Sequence, residues 1–518
     1  MYKSTIVIFM LAIFVSSISS CSSNQVEVDS ADSSSTWLIK NAMIYDGAGA
    51  DPFRGDVRVK EGVIATISAD SLVAKEGEKI WDAKGMALSP GFIDPHSHHD
   101  SRLMDQPAPA SLLAQGITTI VSGLDGSSSK FGDTYVSIAD NMAHFEASPA
   151  AVNLGYFGPH NNYRALVMGD DFKRPATDAE IEHMGQLLTS DLDAGALGLS
   201  TGLEYEPAIY STSHEVIALA KIAAVAGGKY STHIRSEDVA VTAAFEEVFT
   251  VAREAKISAN ISHIKLAMYE LYGASGEFIN KLDSAREEGL DITADIYPYD
   301  GWQSTLSILI PSRDYYDRAA AEYALTSIAA PSTIIFAHYE GRPEYVGKTL
   351  EEISIEENVN PVDLLMELLQ KAEKEGLYES IIGRNIGEQD IKNFMTWPFT
   401  SITTDGGIDG RHPRGQGSFA RVLARYVRDE SVLSLPEAIR KMTSLTASNL
   451  GLSKRGEISQ GYAADIVIFN PDTIADHATF DDPLQYSTGI QAVWVNGVLV
   501  WEDGEESGAR PGQIVRRE

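Results

Sequence analysis

Residues 195–233 read GALGLSTGLEYEPAIYSTSHEVIALAKIAAVAGGKYSTH. The stretch opens on a short apolar run at 195–202, passes through an apolar-rich helical run at 214–228, and returns to a second short run at 228–233. Strand, helix and strand in that order predict a β-α-β unit with its strands parallel. The pattern extends both ways: GITTIVSG (116–123) and VNLGYFG (152–158) precede it, and SANISH (258–263), DITADIYPY (291–299) and SITTD (401–405) follow. A further helical run, SVLSLPEAIRKMTSLTASNLG, closes the series at 431–451. Units of this kind, about eight in number, predict an α/β fold, a (β/α)8 TIM-like barrel spanning 91–453. One stretch, about 310–393, breaks the alternation with the strand-like run TIIFAH (333–338) and several acidic helices, and is expected to be an insertion near the end of the barrel, a candidate lid.

Outside the barrel the runs become short and β-like, divided by Gly, Asp and Lys-Glu-Gly turns: WLIKNAMIYDG (37–47), GDVRVKEGVIATIS (55–68) and EKIWDAKGMALSPGF (78–92). The other end repeats the habit in GEISQGYAADIVIFN (456–470) and IQAVWVNGVLVWEDG (490–504). Two β-rich ends around a different middle predict one small discontinuous β-sandwich domain built from 37–90 and 454–518. The first 21 residues have Lys3 near the start, an apolar run from Ile6 to Val15, and small residues leading to Cys21, the pattern of a signal peptide. Ile18-Ser19-Ser20-Cys21 resembles a bacterial lipobox, in which the Cys thiol is lipidated and becomes the new N-terminus after cleavage. Residues 22–36, rich in Ser and acidic side chains, suit a flexible tether. The expectation is therefore an exported chain, lipid-anchored to the bacterial cell envelope on the periplasmic side or at the outer membrane, with no other membrane contact.

The chain has 518 residues, 44% of them hydrophobic, enough for a large barrel with a satellite domain. Its 41 Lys and Arg against 73 Asp and Glu give a net charge of −32, which disfavours nucleic acid and anionic lipid as partners. A small anionic substrate stays compatible, because a few cations in a cleft outweigh distant screened charges. Cys21 is the one cysteine, so no internal disulfide forms and any metal must rest on His, Asp or Glu.

Such residues stand at the expected strand ends. In GFIDPHSHHD (91–100), His96 and His98 are two apart on an extended segment and so project to one face. His233 closes KYSTH, His263 closes ISANISH and Asp405 closes SITTD. In a barrel these ends meet at the carboxyl face, where such folds build their sites. Neutral imidazole and carboxylate suit a borderline cation such as zinc, a Lewis acid for a carbonyl and for water. Asp405 is the residue of the set free to carry a proton from water to a departing nitrogen.

The order HSH, His233, His263, Asp405, framed by a two-ended β domain, resembles the amidohydrolase superfamily. Finer motifs are similar to its N-acyl-D-amino-acid deacylase (D-aminoacylase) branch: PGFIDPHSH, GITTIVSGLDG, GLSTGLEY, THIRSE, ISHIK, DIYPYDGWQSTL, TTDGG, HPRGQGSFARVL and DPLQYSTGIQAVWVNGVLVW. The resemblance implies a tight zinc on His233 and His263, a second, weaker site on His96 and His98, and Asp405 as both metal-contacting and catalytic. The branch has a bridging cysteine after the second strand, where this chain has Asp125. A hard carboxylate there tilts the site toward two ions, with manganese as well as zinc suited to the second. The resemblance also assigns a substrate carboxylate to Lys265, to Tyr297 or Tyr299, and to Arg414, whose fork suits it. Ser200, Thr201, Tyr205 and Arg235 are weaker pocket candidates, and His338 and His412 are left out of the metal set. The implied activity is metal-dependent hydrolysis of a linear amide beside a carboxylate, releasing a D-amino acid from its N-acyl form. Two alternatives remain: cleavage of D-residue dipeptides or a cyclic amide of the dihydropyrimidine type, and a non-catalytic lipoprotein that binds metal or ligand.

Overall fold

The computed structural model describes residues 36–517 apart from 129, 132 and 133. The expected leader with Cys21 and the tether up to residue 35 lie outside the described residues. Among those described, no helix is long and apolar enough to cross a membrane.

Eight strands carry the barrel: β1 (Phe92–Asp94), β2 (Ile117–Ser122), β3 (Asn153–Tyr156), β4 (Gly198–Gly202), β5 (Lys229–His233), β6 (Ala259–Ile261), β7 (Ile292–Ile296) and β8 (Thr400–Ile402). β1 pairs with β2 and β2 with β3, all parallel. β4 to β8 pair in parallel in sequence order. The third strand spans both sheets: Asn153–Tyr156 lies on β2, and Gly158–Pro159 turns onto β4. Closure between β8 and β1 uses bonds just beyond the strand ends, from Asp405 N to His96 O (2.9 Å) and from His98 N to Gly406 O (2.8 Å). Below them the buried carboxylate of Asp94 accepts from Thr403 Oγ1 (2.7 Å) and Thr404 N (3.0 Å). The seam of the barrel therefore passes through the very segments that carry His96, His98 and Asp405.

The chain ends meet in a second unit. Ile466–Phe469 runs antiparallel to Ala87–Pro90 and joins strands from both ends into one nine-stranded sheet. Bulges at 39/42, 58/59, 468/469 and 493/494 bend it. The edge strand Val63–Ser68 meets 461–464, with Ile64 N donating to Tyr462 O at 2.9 Å. Its faces thus close on a shared core in which buried Trp494 packs edge-on against Trp37 and Trp81.

Between β7 and β8 the chain forms a small three-stranded antiparallel sheet, with Glu379–Gly383 between Trp302–Ser304 and Ile334–Tyr339. It carries the helices Leu350–Glu357 and Pro361–Glu375. These limits differ from the expected 310–393. The sheet takes its first strand earlier, directly after the DIYPYD segment, and the helix Glu388–Thr396 packs on β7, β8 and the helix Ser275–Glu287 as a barrel helix does. Buried Glu379 ties the sheet to the segment that follows Trp302–Ser304, accepting from Leu306 N at 2.5 Å.

Burial pushes the Glu379 carboxyl from the usual 4.5 up to about 7, against the opposing pull of the Leu306 and Ser307 amides. The folded state thus disfavours the ionised form. Its contribution to stability is complete below pH 4.5, is lost between pH 4.5 and 7, and stays lost above. Native protein should therefore lose on the order of 3 kcal/mol between pH 4.5 and 8 through this group. Urea midpoints at pH 5 and pH 8 should differ less in Glu379→Gln than in the native chain; an equal difference would show that Glu379 does not titrate in this range.

Candidate active site

Five loops at the carboxyl ends of the strands converge. His96 and His98 follow β1, Asp125 follows β2, His233 ends β5, His263 follows β6 and Asp405 follows β8. Three of these residues lie in left-handed backbone, Asp125 at φ 51°, His263 at 37° and Asp405 at 46°. Non-glycine residues rarely adopt that region, so each strand ends in a tight turn that sets the side chain's direction.

Asp125 joins two groups of donors. Its Oδ1 is 3.3 Å from His263 Nε2, and its Oδ2 is 3.4 Å from both His96 Nε2 and His98 Nε2. Asp405 Oδ1 completes the second group at 3.6 Å from His96 Nε2 and 3.3 Å from His98 Nε2. In the first group His233 Nδ1 and His263 Nε2 face each other at 3.0 Å. Both ring nitrogens of fully buried His96 lack a hydrogen-bond partner. Buried imidazole nitrogens left without partners are costly, and two of them turned on one another need a cation or proton between. The donor set fits one or two divalent ions of the zinc class: Asp125, His233 and His263 in one group, and His96, His98, Asp125 and Asp405 in the other.

The two expected carboxylate receptors stand beside this cluster, each already paired. Lys265 Nζ donates to Glu237 Oε1 at 2.5 Å and lies 2.8 Å from His263 Nδ1. Arg414 Nη1 pairs with Asp405 Oδ2 at 2.6 Å. Burial acts to raise the Asp405 carboxyl, but the Arg414 guanidinium, joined by His263, His98 and His96, outweighs it and holds the group well below the usual carboxylate range, so Asp405 is ionised. The structure places the two tyrosines differently. Tyr297 lies under the Arg414 guanidinium, 4.6 Å from the ring centre, with its hydroxyl buried and held neutral by burial. Tyr299 turns the other way, its ring under Arg421 at 4.6 Å and edge-on to Phe480. Of the two tyrosines offered for the expected carboxylate receptor, Tyr297 stands against Arg414 and Tyr299 against Arg421.

Among the weaker candidates, Tyr205 joins the site, its hydroxyl 3.0 Å from His233 Nδ1. Ser200 accepts from Gly126 N, Thr201 bonds Tyr230 and Thr232, and Arg235 forks onto Glu247, so these three support the scaffold. His338 stacks on Tyr378 in the insertion. His412 accepts from Arg414 N at 3.1 Å and thereby fixes the start of the helix Arg414–Arg421. Two residues against the cluster lie inside quoted motifs but are not singled out by the sequence. Glu204 Oε2 lies 2.8 Å from His233 Nε2, and Glu237 Oε1 lies 3.1 Å from His263 Nδ1. Both stand in irregular loops, inside GLSTGLEY and THIRSE, where no periodicity marks them.

The cluster opens into a cavity of about 540 Å³ whose outer wall comes from the insertion, through Trp302, Ser304, Ile308, Leu309, Ile328 and Glu379. Arg313 ties that wall to the β4 loop by donating to Glu204 O at 2.6 Å.

Known proteins share this arrangement of sequence and fold. The sequence pattern of the amidohydrolase family matches residues 79–307 and 395–501, the two sides of the insertion. The chain is 34% identical over 509 residues to the N-acyl-D-aspartate deacylase of Alcaligenes xylosoxydans xylosoxydans, covering 94% of this chain and 96% of that one. It is also 34% identical over 499 residues to the D-aminoacylase of the same organism, covering 93% and 97%. Among solved structures, the N-acyl-D-glutamate deacylase from Bordetella bronchiseptica, complexed with zinc and a phosphonate mimic of the tetrahedral intermediate, matches with a TM-score of 0.83 at 32% identity, covering 94% of this chain and 100% of that one. A barrel whose strand ends gather four histidines and two aspartates, matched along nearly its whole length by such relatives, belongs to the amidohydrolase family.

Proposed function

We propose that this chain is a metal-dependent hydrolase that deacylates N-acyl-D-amino acids, releasing the D-amino acid and a carboxylic acid. The observation that carries the reading is the placement of two buried cations, Lys265 and Arg414, against the His and Asp cluster. A substrate carboxylate held there sets its amide beside the donors. His233, His263 and Asp125 would hold one ion, and His96, His98, Asp125 and Asp405 a second; zinc suits the first, zinc or manganese the second. A bound ion supplies Lewis acidity to the scissile carbonyl and to the attacking water.

The chain's own groups do the rest. Ionised Asp405 accepts a proton from the water and returns it to the departing nitrogen. Arg414 leaves its pairing with Asp405 to fork onto the substrate carboxylate, while Tyr297 presents a neutral hydroxyl beneath it. Substrate binding and the freeing of the acid/base are then one event. The same two cations favour a linear carboxylate-bearing amide over a cyclic one.

We also propose that the protein is exported and held at the bacterial envelope by a lipid on Cys21, a reading supported by the apolar run Ile6–Val15 and the Ile18–Cys21 motif. Cys21→Ser should appear in the soluble envelope fraction at unchanged specific activity; membrane retention of that variant would refute the anchor.

Purified protein with added Zn2+ or Mn2+ should cleave N-acetyl-D-amino acids and leave the L-enantiomers, D-residue dipeptides and cyclic ureides essentially uncut; a preference for the ureides would overturn the deacylase reading. Asp405→Asn should keep its metal yet lose roughly 10²- to 10⁴-fold in kcat, and a smaller loss would remove Asp405 from proton transfer. Arg414→Lys preserves the charge beside Asp405 but not the fork. It should cost about 1.5 kcal/mol or more, roughly tenfold in kcat/KM, for the acid and little for its methyl ester. Equal losses on acid and ester would place the carboxylate elsewhere.

A further inference from the structure

His233 and His263 each have one ring nitrogen turned into the donor cluster and the other turned out onto a buried carboxylate. His233 faces the cluster through Nδ1 and Glu204 through Nε2, at 2.8 Å. His263 faces Asp125 through Nε2 and Glu237 through Nδ1, at 3.1 Å. A neutral imidazole that ligates through one nitrogen must carry its proton on the other, so the outward partner fixes which nitrogen is free for the ion. Glu204 and Glu237 are both buried, and each is a pure acceptor when ionised. They hold the two rings in opposite tautomers, as the cluster geometry needs: the proton on Nε2 in His233 and on Nδ1 in His263.

Glu237 has a second duty. Lys265 Nζ lies 5.8 Å from the Tyr297 ring centre and has two hydrogen-bonding neighbours among the described residues, Glu237 Oε1 at 2.5 Å and His263 Nδ1 at 2.8 Å; once Nδ1 carries a proton, Glu237 is the one of the two that accepts. A flexible Lys stem needs an anchor to keep its charge in place. One carboxylate therefore fixes the metal-facing imidazole and the cation that awaits the substrate.

We propose that Glu204 and Glu237 are positioning residues, Glu204 for the metal-binding tautomer of His233 alone, and Glu237 for that of His263 and for the ammonium of Lys265. The second half rests on the deacylase reading; the first does not. Glu204, His233 and Glu237 could also be read as a metal site in their own right, since their ligand atoms lie within 4.8 Å of one another. His233 Nε2 would then be a ligand atom and could not carry the proton that Glu204 accepts.

The test measures zinc affinity by chelator competition, metal stoichiometry, and the visible spectrum of the Co2+-substituted protein. Glu204→Ala should weaken zinc binding about 10- to 100-fold and shift the cobalt spectrum. Glu204→Gln, which keeps an acceptor without charge and guards against a folding defect, should recover part of the loss. With zinc saturating, both variants should show native KM for an N-acetyl-D-amino acid. Glu237→Gln should weaken zinc as well and, unlike the Glu204 variants, raise KM several-fold for the acid but not for its methyl ester. Unchanged zinc affinity and cobalt spectrum in the Glu204 variants would overturn the proposal. So would loss of a whole equivalent of zinc with native affinity for the remainder, which would make Glu204 a ligand. Equal KM effects on acid and ester would remove the link from Glu237 to Lys265. If no N-acyl-D-amino acid is cut while zinc affinity and spectrum change as expected, the tautomer role stands and the deacylase reading falls.

Discussion

Everything in the site turns on one carboxylate placed among imidazoles. Asp125 reaches His263 with one oxygen and His96 and His98 with the other, at 3.3 and 3.4 Å, and both donor groups share it as a ligand. A carboxylate in that position balances positive charge on either side and needs it in return, because an anion this deeply buried is stable only when paired. The barrel makes the arrangement possible by delivering the partners from different strands, His96 and His98 after β1 and His263 after β6. The seam between β8 and β1 makes it rigid, since the backbone bonds that close the barrel belong to the residues that carry His96, His98 and Asp405.

Charge is organised in layers around that centre. Inside are imidazoles and two aspartates; around them, Glu204 holds His233, Glu237 holds His263 and Lys265, and Arg414 holds Asp405. The two cations are not idle before a ligand arrives, because each is already bonded to a carboxylate of the site. Under the proposed function a substrate anion would exchange one partner for another at these residues, a smaller electrostatic change than neutralising a bare buried charge. The insertion contributes the apolar share of the cavity wall and, through Arg313, holds the loop on which Glu204 stands.

Much of this was legible in the chain because strand ends are easy to read. His233, His263 and Asp405 each follow an apolar run, and His96 and His98 alternate on an extended segment, so periodicity alone brought them to one face. Asp125 was visible through resemblance, at the position where the branch carries cysteine. Glu204 and Glu237 were not legible, since an acidic residue in an irregular loop looks like any solvated turn until its neighbours are known. The tyrosine pair shows a different limit: the motif offered Tyr297 or Tyr299 without separating them, and their contacts with Arg414 and Arg421 appear only in the fold. The insertion was placed late at its start because Trp302–Ser304 follows the barrel motif without a break in composition, and its true partner, Glu379–Gly383, is distant in sequence.

The left-handed turns at Asp125, His263 and Asp405 restrict which residue types those positions can hold. Backbone near φ +50° is open to Gly, Asn and Asp, tolerable for His, and poor for β-branched side chains. The side chains that fit the turn most comfortably after Asp are Asn and Gly, and both lack the charge. Mutational drift at these sites is thus channelled toward neutral residues that leave the fold untouched. A lineage relieved of selection would lose its chemistry before its barrel, and well-folded silent copies of this architecture are the expected residue of its evolution.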